Sequence, residues 1–68
     1  MKTIAIATIE GIEVEYQLTG TRGHWTWICP DGQPAGDAAG GETKSAALEN
    51  LNLNLNNDEP EYEGIRWA

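Results

Sequence analysis

Ile12-Glu13-Val14-Glu15-Tyr16-Gln17-Leu18-Thr19 alternates apolar and polar side chains without a break. Successive residues of a strand point to opposite faces, so this stretch predicts a strand. Ile12, Val14, Tyr16 and Leu18 make its covered face; Glu13, Glu15, Gln17 and Thr19 make its wet one. A strand dry on one side and wet on the other belongs to an antiparallel sheet packed on a single face.

Upstream, residues 3–9 are rich in Ile and Thr, a composition that favours strands. Ile4 and Ile6 fall on one face, and Ala5, Ala7 and Ile9 on the other, so both faces are apolar, as suits a central strand. Glu10-Gly11 has the length of a hairpin turn and joins the two strands. Downstream, the loop Thr19-Gly20-Thr21-Arg22-Gly23 leads into a third strand, His24 to Cys29, with Trp25, Trp27 and Cys29 on one side and His24, Thr26 and Ile28 on the other. Pro30-Asp31-Gly32 ends it with turn chemistry.

Residues 30–42 are dominated by Gly, Pro, Ala and Asp and read as a flexible loop, with room for a short edge strand near Gln33–Gly36. Thr43 or Ser45 then offers an N-cap, and Ala46, Ala47, Leu48, Leu51 and Leu55 trace a helical stripe. Asn50 to Asn56 alternates Asn and Leu with period two, a strand-like pattern. The helical segment upstream decides for one helix over about 44–56, with Leu53 off its stripe. The acidic segment 57–68 begins with Asn57-Asp58-Glu59-Pro60, which stops the helix. Ile65 and Trp67 would share a face if the chain end were extended as a fourth strand.

The expected fold is therefore a single α+β domain spanning 1–68. A three- or four-stranded antiparallel sheet, in the order β-β-β-α with a short C-terminal strand as the optional fourth, carries one helix packed on one face. Leu48, Leu51 and Leu55 would close over Ile12, Val14, Tyr16, Leu18 and the Trp25/Trp27 face.

Such a core is thin. Leu, Ile and Val make up only 12 of 68 residues, Phe is absent, and four basic residues against eleven acidic ones leave a net charge of −7. Few aliphatics with high charge is the signature of disordered chains. Three Trp and two Tyr offset it, because each can bury ~150–250 Å². Order is expected to fail first in residues 30–42 and near 57–64.

Composition also excludes functions. No apolar run approaches the ~20 residues of a membrane helix. Residues 1–9 carry one positive charge and an apolar stretch, as a secretion signal does, but the stretch stops at Glu10 and is Ile/Thr-rich like a strand. One Cys cannot form an internal disulfide, and a cytoplasmic location is expected. One Cys and one His cannot close a zinc site, and no cofactor is expected. His24 and Cys29 are an odd number of residues apart on one strand and face opposite ways, so they form no catalytic pair. Glu13 and Glu15 share an open face, ~6.8 Å apart at ~3.4 Å per residue, where carboxylates keep ordinary acidity. Gly40-Gly41-Glu42-Thr43-Lys44-Ser45 lacks phosphate-loop spacing, and Glu42 repels phosphate. Direct nucleic-acid binding needs more Lys and Arg than the four present.

What remains is a small acidic, non-enzymatic protein-interaction module that binds a protein partner or itself as a homodimer. Its candidate contact residues are the aromatic Trp25, Trp27 and Trp67 and the acidic Glu13, Glu15, Asp58, Glu59, Glu61 and Glu63. The acidic set carries a first alternative, imitation of nucleic acid toward a basic nucleic-acid-binding protein. The Trp-bearing strand carries a second, capture of a small ligand.

Overall fold

The computed structural model describes residues 3–68. Strands β1 (Thr3–Ile9), β2 (Ile12–Thr21) and β3 (His24–Ile28) form an antiparallel meander. A 3-10 turn over Asp37–Ala39 and helix α1 (Lys44–Asp58) follow, and β4 (Tyr62–Trp67) returns antiparallel to β1. The sheet order is β3-β2-β1-β4, so the fold is α+β with four strands and one helix, and β1 is central as its two apolar faces require.

The β1–β2 connection is a two-residue turn with positive φ at Glu10 (55°) and Gly11 (76°). Such turns match the right-handed twist of the strands they join. Gly11 adopts the conformation freely. Glu10 does so at a cost of about 1 kcal/mol, because its Cβ crowds the following carbonyl.

Register places Ala5, Ala7, Val14, Tyr16, Leu18, Trp25, Trp27, Ile65 and Trp67 on the helix side. Ala5, Ala7, Tyr16, Leu18 and Trp27 are buried beneath Ala47, Leu51 and Leu55 of α1. The inward set on β1 is thus the small one. Two alanines in the middle of the sheet leave space that large rings from the flanking strands fill. Trp27 is fully enclosed, and its indole N–H donates to the Ala47 carbonyl at 2.9 Å. Burying such a ring is worth ~4–6 kcal/mol of transfer free energy. Ile12 departs from its expected place in the core: at the turn end of β2 it is 62% exposed. Leu48 is only half-buried; Ala47 takes the innermost position at that level of the helix.

Residues 30–42 follow the outer edge of β3, and the pairing falls at Gln33–Ala35, within the Gln33–Gly36 stretch that had room for a short edge strand. Ala35 N–H donates to Trp27 O, Cys29 N–H to Gln33 O, and Trp25 and Gly41 exchange both backbone bonds. Isolated bridges join Ile28 to Pro34 and Trp25 to Gly41. Glycine is needed at Gly41, where a Cβ would lie 2.7 Å from the Ala47 nitrogen.

Helix α1 starts at Thr43, whose hydroxyl accepts the Ala46 N–H at 3.0 Å. Its Asn-Leu-Asn pattern has a structural reason. Leu51 points down into the core, and at 100° per residue Asn50 and Asn52 project to its two flanks. Asn50 Nδ2 donates to Gly40 O at 2.6 Å, and Asn52 Oδ1 accepts the Tyr62 hydroxyl. One asparagine ties the helix to the loop beside β3, the other to β4. The segment after the helix is likewise structured: Tyr62 N–H bonds to Glu59 O and the chain enters β4 directly.

Candidate functional site

The three tryptophans occupy different environments. Trp27 is a core ring closed to solvent. Trp25 is half-buried, with Lys44 Nζ 5.1 Å from its ring centre, a cation–π contact. Trp67 is 38% exposed on β4 and leans onto Trp27. Of the aromatic candidates, Trp67 presents the most open surface and Trp27 none.

The two sheet edges are treated differently. The outer edge of β3 is covered by residues 33–41. Among the described residues, no strand or loop pairs with the outer side of β4. Ala68 N–H donates to Ile4 O at 2.8 Å, in register with Ala5↔Trp67 and Ile6↔Arg66. In an antiparallel ladder alternate residues bond to the same neighbour. Gly64 and Arg66 therefore bond inward to β1, and the N–H and C=O groups of Ile65 and Trp67 point outward. An unpaired edge of this kind is a template for another strand. Beside it, between α1 and β4, lies a groove of about 370 Å³ lined by Ser45, Leu48, Glu49, Asn52, Gly64 and Ile65.

A bulge limits this edge at its start. Tyr62 and Glu63 together oppose Ile9, and the extra residue turns the Glu63 carboxylate to the hairpin tip, where it accepts Gly11 N–H at 2.8 Å. Glu10 N–H donates to Glu61 O at 3.0 Å. The β1–β2 turn, the C-terminal end of α1 and the start of β4 thus meet at one end of the molecule. They bring Glu10, Asp58, Glu59, Glu61 and Glu63 to one end of the molecule, an acidic pole, with Glu13 at the same end of the open sheet face. Arg66 reaches it through a 2.9 Å ion pair with Glu13, both side chains well exposed and so weakly coupled. Arg22 and Lys44 lie toward the other end, in the β2–β3 turn and at the start of α1.

Glu15 stands apart from this pole. It lies on the open sheet face with Ile4, Gln17 and Ile28, around a shallow depression of about 290 Å³ that Cys29 and Pro30 close. Trp25, Trp27 and Trp67 line neither depression. Burial and the nearby Asp31 charge raise the Cys29 thiol above its ordinary value, which holds it protonated and weakly nucleophilic. Among the described residues no three His, Cys, Asp or Glu side chains are arranged to hold a metal ion, and no helix is long and apolar enough to cross a membrane.

Comparison with family models, with curated proteins and with solved structures finds no match. The open β4 edge was not among the candidates named from sequence. The signal for it is indirect: the Pro- and Gly-rich stretch that covers β3 has no counterpart beside residues 62–67.

Proposed function

We propose that this chain is a non-enzymatic, cytoplasmic protein-interaction module that receives its partner by strand addition at β4. The observation that carries this reading is the contrast between the edges: one strand is sheathed by the chain's own loop, and among the described residues none pairs with the outward backbone groups of Ile65 and Trp67. Strand addition draws affinity from main-chain hydrogen bonds and specificity from flanking side-chain pockets. The α1–β4 groove with Leu48 and Ile65, and the half-open Trp67 ring, supply such a flank.

A photo-crosslinking residue at Glu49, on the groove, tests this in cells. Discrete protein adducts are expected from Glu49 and none from Arg22 in the β2–β3 turn. An absence of adducts from Glu49 overturns the reading.

The convergence of six carboxylates favours a second reading, in which the acidic pole mimics a phosphate array for a basic nucleic-acid-binding protein. Adducts would then come from Glu61 and vanish at ~1 M salt, where the screening length falls to ~3 Å.

A further inference from the structure

We propose that Asp31-Gly32 is a site of spontaneous backbone modification, the isomerisation of aspartate to isoaspartate. The turn that holds the pair restrains the reaction, and its completion releases the covering segment from the β3 edge. Asp31-Gly32 is the only Asp-Gly pair in the chain. It lies exposed where the chain leaves β3 and doubles back along it. Glycine after the aspartate matters chemically: with no Cβ, its nitrogen reaches the preceding carboxyl unhindered. Gly32 also sits in open space, with φ of 90°.

The reaction needs no partner but water. The Gly32 amide nitrogen gives up its proton and bonds to Asp31 Cγ. A Cγ–O bond breaks, and that oxygen leaves as water with the amide proton and the carboxyl proton. Water then opens the five-membered imide. Attack at Cγ restores aspartate. Attack at the main-chain carbonyl carbon of Asp31 breaks its bond to Gly32. The chain then runs through Cβ and Cγ, one atom longer, and a free α-carboxylate replaces the side-chain one. Mass and charge are unchanged.

Both reacting groups are tied down in the folded turn. Gly32 N–H donates to Cys29 O at 2.9 Å, and Asp31 Oδ1 accepts Gln33 N–H at 3.0 Å. Cyclisation needs the first bond broken to bare the nitrogen, and the second given up as the carboxyl swings to Gly32. The folded chain must therefore open locally before it reacts, a step the unfolded chain is spared.

The same turn anchors the segment that sheathes β3. Directly beyond Gly32, Cys29 N–H donates to Gln33 O at 2.7 Å and Ala35 N–H to Trp27 O at 2.9 Å. An extra main-chain atom between Cys29 and Gln33 moves Gln33 and Ala35 out of register with these partners. The double bond between Trp25 and Gly41 lies at the far end of the segment and does not depend on the turn. The modified chain thus bares the outward groups of Trp27 and Cys29, a second unpaired edge besides that of β4.

Peptide mapping against synthetic standards, which separate by retention, measures isoaspartate at residue 31. The unmodified chain is aged side by side in buffer and in guanidinium chloride. Isoaspartate is expected at this position in both, several-fold faster in the denaturant. A chain synthesised with isoaspartate in place of Asp31 should keep its fold. Its Cys29 and Ala35 amides should exchange at least ~10-fold faster than in the parent, while those of Gly41 and Gly64 stay equally slow. Equal rates in buffer and denaturant, or no isoaspartate in either, overturn the proposal. So do Cys29 and Ala35 amides that keep their protection in the synthetic chain, or that lose it together with Gly64, which is global unfolding rather than release of one edge.

Discussion

Trp27 on β3 and Trp67 on β4 stand at opposite edges of the sheet, yet their ring centroids are 5.9 Å apart with planes tilted by 31°. They meet over β1, where Ala5, the partner of Trp67 in the ladder, is fully buried and leaves the sheet low, while Leu18 of β2 packs beside Trp27. The contact ties the last strand to the first three across the core and under the helix.

Removing one ring should loosen that tie. Trp67→Ala is expected to cost about 2–3 kcal/mol, less than a fully buried Trp because the ring is partly exposed. A domain of this length has only about 3–10 kcal/mol in total. Urea unfolding in dilute solution should show a large drop in midpoint, and Trp67→Phe a smaller one. An unchanged midpoint for Trp67→Ala would show that β4 is held by its backbone pairing alone.

The hairpin tip offers a gain. Glu10 holds φ of 55° in a turn whose first position favours asparagine. Glu10→Asn should stabilise by about 0.5–1 kcal/mol and raise Tm by several degrees, at about 4–8 °C per kcal/mol for a chain of this size. Removing one carboxylate from the acidic pole acts in the same direction. A fall in Tm would mean that the Glu10 side chain makes a contact worth more than its strain.

The two flanking asparagines of α1 should respond unequally. Asn50→Ala leaves the buried Gly40 carbonyl without its side-chain donor and is expected to cost about 1–2 kcal/mol. Asn52→Ala frees the Tyr62 hydroxyl, which lies nearer solvent, and should cost less than about 1 kcal/mol. Equal costs would contradict the difference in burial between Gly40, which is buried, and Tyr62, which is half-buried.

Much of this fold was legible because it rests on local patterns. Ile12–Thr19 alternates cleanly, Thr43 is a good N-cap, and the Ala and Leu stripe sets the face of α1. The helix also ran where expected despite the period-two Asn-Leu run, whose meaning lies in tertiary partners: Gly40 on one flank and Tyr62 on the other. The course of residues 30–42 beyond the short edge pairing near Gln33–Gly36 was hidden for the same reason. Pro, Gly and Ala carry no periodicity, and the order comes from backbone bonds to β3 that no local pattern encodes. The site was less legible still. An acidic pole assembled from residues 10–13 and 58–63, and an edge defined by what fails to cover it, are properties of topology rather than of any one segment.

Charge at the pole works against the helix it adjoins. Asp58 ends α1 and Glu59 caps it, at the end where the helix dipole is negative. Glu59→Lys should therefore stabilise by about 0.3–1 kcal/mol at low salt, with the gain shrinking as salt is added. If the pole binds a basic partner, the same substitution weakens that binding, so stability and binding should move in opposite directions.

Alkaline pH probes the core through three groups. Burial raises the Tyr16 hydroxyl above 10.0, helped by the Cys29, Glu59, Asp31 and Tyr62 charges around it. Burial alone raises Tyr62 above 10.0, and burial with Asp31 raises Cys29 above 9.0. In each case the unfolded chain releases its proton at a lower pH than the folded one. Above that pH the unfolded state holds fewer protons, so stability falls as pH rises. The contribution is complete below about pH 8 and is lost from about pH 9 upward, Cys29 first and the tyrosines after it. Urea midpoints followed by Trp fluorescence should be flat between about pH 6 and 8 and decline above about 9. Cys29→Ala should remove the earliest part of the decline, and Tyr16→Phe should move the later part to higher pH. A midpoint that holds steady to about pH 11 in the unmodified chain would mean that these groups ionise in the folded state as freely as in water.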